Sequence, residues 1–176
     1  DLVYTMTNYT LPSNVERLEV TDSASTAGLS LRGNGLGNEI RANDGANTID
    51  GGAGADILYG LGGADNVVVG DLSGTDVKDV NVTFTANDGN VDAVTVNGTQ
   101  GADKIVIKNV NGEVRVSGLP ATVHIKGTEA NGTDRLTING LGGDDEIDAS
   151  GLAAGKVELT LNGGLGKDVF IGHIWP

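Results

Sequence analysis

Oxygen-bearing side chains return at a fixed interval behind glycine-rich stretches. Asn38, Asn47, Asp56 and Asp65 stand nine residues apart, each the sixth residue of a nonapeptide: GNGLGNEIR from Gly33, ANDGANTID from Ala42, GGAGADILY from Gly51 and GLGGADNVV from Gly60. Glycine takes positive φ without penalty and leaves its carbonyl uncovered, so a loop such as Gly51, Gly52, Ala53, Gly54 can aim several oxygens at one point. A carboxylate at position six completes a cluster of hard oxygen donors, the chemistry that holds hard divalent cations.

The elements that must position these loops are short strands. Position eight is apolar in every repeat: Ile40, Ile49, Leu58 and Val67. A triplet such as Ile57, Leu58, Tyr59 points its middle side chain inward and its neighbours outward, so one residue per strand reaches the core. A strand of that size cannot bury enough surface alone. Successive repeats must therefore stack into a parallel coil with loops aligned along both edges. The predicted fold class is all-β, a parallel β-roll or β-solenoid, regular over 33–68 and irregular after that.

These repeats resemble the RTX, or haemolysin-type, calcium-binding family, whose pattern is GGxGxDxUx. Gly51 to Tyr59 matches every defined position, and GGLGKDVFI from Gly163 to Ile171 matches it again with Phe170 in the apolar slot. The resemblance implies a right-handed roll in which each of several Ca2+ ions lies between a loop and the loop one coil on, so that the loops beginning at Gly33 and Gly51 share one edge and those at Ala42 and Gly60 the other. Carried over by position, Asp56 and Asp65 are carboxylate ligands. Gly33, Gly35, Gly45, Gly51, Gly52, Gly54, Gly60, Gly62 and Gly63 lie in the loops that supply backbone carbonyls, with Asn43 among them. Asn38 and Asn47 depart from the pattern; their amide oxygens ligate without charge, which implies weaker sites there. Leu36 replaces a usual glycine.

Three units are expected: capping strands over 1–32, the nonapeptide roll over 33–71, and an irregular solenoid over 72–176, continuous with the roll. In the first, Leu18 and Val20 alternate with Arg17, Glu19 and Thr21 as a half-buried strand does. In the last, apolar doublets recur as Val94/Val96, Ile105/Ile107, Val114/Val116, Val123/Ile125, Leu136/Ile138 and Val157/Leu159, with a further apolar position at Ile147. Family-like loops persist there as GTQGADKIV from Gly98, GLGGDDEID from Gly140 and the full match from Gly163. They add Asp103, Gly142, Gly143, Asp145, Gly163, Gly164, Gly166 and Asp168 to the candidate ligands. Asp71 is a marginal candidate, and Asp76 and Asp79 read as a solvated linker. Residues 111–139, with Pro120 and few carboxylates, are expected to pack without metal.

Composition agrees with a cation partner. The 176 residues carry 24 acidic against 11 basic side chains, a formal charge of −13, which repels phosphate backbones and argues against nucleic acid. No cysteine is present, so a disulfide scaffold is excluded, and six aromatic residues cannot fill a broad two-layer core. No apolar run approaches the ~20 residues of a membrane span, and no charged-then-apolar leader opens the chain. Asp1 at the start suggests a mature or excised form.

Catalytic signatures are missing: HExxH, GxSxG and a nucleophilic cysteine are absent, a slender coil gives the paired carboxylates Asp144/Asp145 no cleft, and no lysine forms a recognisable constellation with Arg115 or Arg135. A non-enzyme is expected. His124, between Val123 and Ile125, should face solvent; His173 and Trp175 belong to a terminal tail, and the sequons at Asn8, Asn81, Asn97 and Asn131 are ascribed to turn chemistry. The expected function is a calcium-binding module of a secreted bacterial protein, folding on extracellular calcium and stabilising its parent chain. The alternative is an adhesin, surface-layer or self-assembling repeat module in which calcium is structural and the partners are further copies or the rest of a larger chain.

Overall fold

A computed structural model describes residues 1–70, 72–74, 77–129 and 131–172. Among them lie, in chain order, β1 (Leu2–Thr5), β2 (Tyr9–Thr10), β3 (Arg17–Val20), β4 (Ser30–Asn34), β5 (Glu39–Arg41), β6 (Thr48–Gly52), β7 (Ile57–Leu61), β8 (Asn66–Val69) and β9 (Asp79–Phe84). There follow β10 (Ala93–Asn97), β11 (Lys104–Val110), β12 (Glu113–Ser117), β13 (Thr122–Lys126), β14 (Arg135–Asn139), β15 (Glu146–Gly151), β16 (Glu158–Asn162) and β17 (Val169–Ile171). No helix among the described residues is long and apolar enough to cross a membrane.

The strands form two open sheets, one of ten ordered β1-β3-β5-β7-β9-β13-β12-β11-β15-β17 and one of seven ordered β16-β14-β10-β8-β6-β4-β2. Through the repeats the chain alternates between them, and each strand pairs in parallel with the strand one coil on: β5 with β7 and β6 with β8. The expected cap, 1–32, contributes β1 to β3 and the start of β4, which runs on into the first repeat; all four extend the sheets in the same parallel manner.

Register places the apolar positions in columns. Leu18, Ile40, Leu58 and Val82 are successive partners on the ten-stranded sheet, and Leu31, Ile49, Val67, Val94 and Leu136 on the seven-stranded one. All are buried. From β9 onward most strands bring two residues inward, such as Val80/Val82 and Ile105/Ile107, which thickens the core where the nine-residue period stops. Outward residues pair across coils as Arg17–Glu39, Arg32–Asp50 and Arg135–Glu158, and the Arg41 guanidinium lies 4.4 Å from the Tyr59 ring centre.

Four readings of the tail are corrected. Val114/Val116 do not form a half-coil: β12 runs antiparallel to both β11 and β13 within one sheet. The cause is the Asn111–Gly112 turn, both residues at positive φ (51° and 90°), the geometry of a tight two-residue hairpin. The inward doublet of β16 is Leu159/Leu161, in register with Leu136 and Ile138, so Val157 precedes the strand. His124 is mostly covered, its Nδ1 3.0 Å from Glu113 and its Nε2 3.0 Å from Asp79, because β12 and β9 flank it with acids. Asp79 accordingly opens β9 and is no linker residue. Asp71, Asp76, His173 and Trp175 lie outside the described residues.

Candidate metal centre

Loops that carry the chain from the seven-stranded to the ten-stranded sheet form a first edge: 33–38, 51–56, 98–103, 140–145 and 163–168. Loops crossing in the other direction form a second: 42–47, 60–65, 85–92 and 127–134. The loops beginning at Gly33 and Gly51 thus share one edge, and those at Ala42 and Gly60 the other.

Along each edge the position-six side chains make a ladder. The N–H of Asn38 donates to Asp56 Oδ1 at 2.9 Å, and that of Asn47 to Asp65 Oδ1 at 2.9 Å, each eighteen residues on. The first edge repeats the rung at Asp103 N–H to Asp145 Oδ1, 2.8 Å, and Asp145 N–H to Asp168 Oδ1, 3.1 Å. Each carboxylate reaches back to the main chain of the preceding coil.

The glycines make the gap between loops narrow. Gly52 and Gly54 lie at φ +86° and +144°, and a Cβ on either would collide with the carbonyl oxygen of Asn34 or Leu36 in the coil before. Gly164 and Gly166 stand in the same way over the carbonyls of Leu141 and Gly143. Carbonyl oxygens from positions two and four of one loop are therefore turned toward the next. A Cβ on the position-one glycines Gly51, Gly60 and Gly163 would strike Oδ2 of Asp56, Asp65 and Asp168, so the carboxylate fills that corner. Gly33 and Gly45 approach the carbonyls of Gly51 and Ala27, Gly63 that of Gly45; Gly142 is less tightly packed, Gly143 abuts Gly101, and Gly35 faces open space. Gly62 lies between the carboxylates of Asp44 and Asp88.

Desolvation dominates the electrostatics. Burial pushes the Asp56 carboxyl up to about 6 and that of Asp65 up to about 7. Asp145 is raised for the same reason, with Asp103, Asp168 and Asp144 adding like charge. The Oδ2 atoms of Asp65 and Asp145 are buried with no hydrogen-bond partner. No Lys, Arg or His forms an ion pair with Asp56, Asp65 or Asp145 among the described residues. Buried carboxylates without counter-charge demand protons or a cation. No group of three or more His, Cys, Asp or Glu side chains suited to a metal ion occurs among the described residues, so any ion must draw on backbone carbonyls as well. The carbonyls of Asn34 and Leu36 with Asp56, and of Leu141 and Gly143 with Asp145 and Asp168, offer only oxygen donors, the type calcium takes; the Asn34 and Leu141 carbonyls each also accept an inter-loop N–H, from Ala53 at 3.1 Å and from Leu165 at 2.9 Å.

Two ladder residues escaped the sequence reading. Asp65 N–H donates to Asp92 Oδ1 at 2.9 Å and Asp92 N–H to Asp134 Oδ1 at 2.9 Å, so the second edge continues beyond the nonapeptides. Glu129 joins it: its N–H donates to Asp134 Oδ2 and its Oε1 accepts from Asp88 at 2.9 Å. Asp92, Glu129 and Asp134 are buried, the last two within the stretch 111–139 that was expected to pack without metal. The signal was an aspartate two residues ahead of an inward apolar residue, as in Asp92/Val94 and Asp134/Leu136.

Comparison with family models matches residues 32–67 to the RTX calcium-binding nonapeptide repeat, in four copies. No significant match was found among curated proteins or among solved structures. The matched residues include the loops that build the first rungs of both ladders, and over 32–67 the chain is similar to the RTX calcium-binding nonapeptide repeat.

Proposed function

We propose that the chain is a calcium-dependent folding module, non-catalytic, built as a right-handed β-roll and carried by a secreted bacterial protein that it stabilises. The observation that carries this reading is the pairing of inter-loop carbonyls with a buried, counter-ion-free aspartate, as in Asn34 and Leu36 with Asp56. Right-handedness follows the general rule for parallel strands joined by a crossover. Asp56, and Asp145 with Asp168, would hold Ca2+ together with these carbonyls, and the ion would supply the positive charge that the stacked acids lack.

Without that charge the aspartates repel one another, and a glycine-rich chain loses much conformational entropy on ordering. Modules with such oxygen ligands outside cells bind calcium near ~10⁻⁴ to 10⁻³ M, so cytosolic calcium would leave the chain unfolded and external calcium would fold it. The family resemblance implies export through a type I channel, where folding outside opposes backsliding. Calorimetric titration of calcium into chelator-stripped protein tests the reading: saturable binding at millimolar calcium or below supports it, and no binding heat at that concentration refutes it.

A second reading, a self-assembling module, is favoured by the exposure of Leu165 in the last loop and of Val169, Phe170 and Ile171 on β17, whose outer edge pairs with no described strand. A calcium-dependent rise in sedimentation coefficient with protein concentration supports assembly, and a constant monomer mass excludes it.

A further inference from the structure

Asn47 occupies in loop 42–47 the place that Asp56 occupies in loop 51–56. Its Nδ2 donates to the Gly45 carbonyl at 2.7 Å, to the Asn43 carbonyl at 3.1 Å and to Asp65 Oδ1 at 3.1 Å. Two carbonyls and a carboxylate can only accept, so the NH2 end of the amide must face them. The acceptors are the second and fourth carbonyls of one loop and the position-six acid of the next coil. At the other rung their counterparts are Asn34, Leu36 and Asp56. Asn47 is 1% exposed, and its Oδ1 is engaged on the far side by the N–H of Leu29 at 3.1 Å. Asn38 differs: its Nδ2 turns away to the Val15 carbonyl at 3.1 Å, which leaves the gap toward Asp56 clear of its amide.

We infer that the Asn47 amide takes the place of a cation at the rung between loops 42–47 and 60–65, so that these two coils join without metal while the Asp56 rung takes calcium. A cation at this rung would have to displace the amide nitrogen from three acceptors, whereas at the Asp56 rung the Asn38 amide already points away. The inference rests on the calcium reading above and narrows it to particular loops.

The test is Asn47→Asp in the full chain, with bound calcium counted by native mass spectrometry. The account expects one more ion than in the unmutated protein; an unchanged count in a variant with the same circular dichroism overturns it. Should the variant fail to fold, crystals of the unmutated protein grown with calcium decide by anomalous scattering. A peak between loops 33–38 and 51–56 with none between 42–47 and 60–65 is the expected result, and a peak at the latter overturns the inference. No peak at either rung overturns the calcium reading itself.

Discussion

The backbone N–H of Asn38 is fastened to Oδ1 of Asp56 across 2.9 Å, so a side chain of one coil is tied to the main chain of the coil before it. A hydrogen bond to a charged group contributes roughly 1.5–3 kcal/mol, and the same carboxylate is offered to the cation. Asp56→Ala should therefore raise the calcium midpoint of folding by about tenfold or more. Asp79→Ala, on the outer face of β9, should leave it nearly unchanged. Circular dichroism during calcium titration reads both, and equal shifts would contradict the assignment.

The inter-loop gap is closed by glycine. Gly54 sits at φ +144° against the Leu36 carbonyl, whereas nothing lies within 4 Å of a Cβ on Gly35. Gly54→Ala should cost about 1–3 kcal/mol from the backbone conformation alone, with the collision in addition. Gly35→Ala should change stability by less than about 0.5 kcal/mol, as ordinary surface substitutions do. Denaturant unfolding in saturating calcium measures the difference, and comparable losses would refute the carbonyl cradle.

Acid should partly replace calcium. The folded carboxyls of Asp56, Asp65 and Asp92 are raised by burial to about 6, 7 and 7 from a usual value near 3.8. Between those limits the folded state binds more protons than the unfolded one, so stability falls as pH rises through the window and the loss is complete above the folded values. Metal-free protein should gain β signal on acidification from pH 8 to pH 5. Gain of structure in the opposite direction would contradict the burial of unpaired acids.

Two leucines carry strain. Leu61 and Leu141 hold φ of 66° and 75° at the second loop position, where the repeat pattern has glycine. The left-handed conformation costs a non-glycine residue about 1–2 kcal/mol, offset in part by the greater freedom of glycine in the unfolded chain. Leu61→Gly and Leu141→Gly should each raise stability by up to about 1 kcal/mol. A clear loss in either would show that leucine packing outweighs the strain.

The parallel two-sheet core was legible because one apolar residue per nine fixes both strand and spacing, and Ile40, Ile49, Leu58 and Val67 lie where that period puts them. The meander β11–β13 was missed although Asn111–Gly112 announces a hairpin: apolar doublets alone do not tell a parallel strand from an antiparallel one. His124 was misread because alternation gives the face of a strand and not the neighbours on that face. Asp92 lies 27 residues past Asp65, three nonapeptide lengths, but Gly74 and Thr83 stand at the intervening counts, and Asp134 lies a further 42 on, which is no multiple of nine; only the fold aligns both with Asp65.

Far-ultraviolet circular dichroism at neutral pH, recorded in millimolar calcium and again after excess chelator, bears most directly on the claim that cations hold these coils together. The account predicts a β spectrum that collapses on chelation and returns when calcium is restored; a β spectrum that persists in chelator would contradict it.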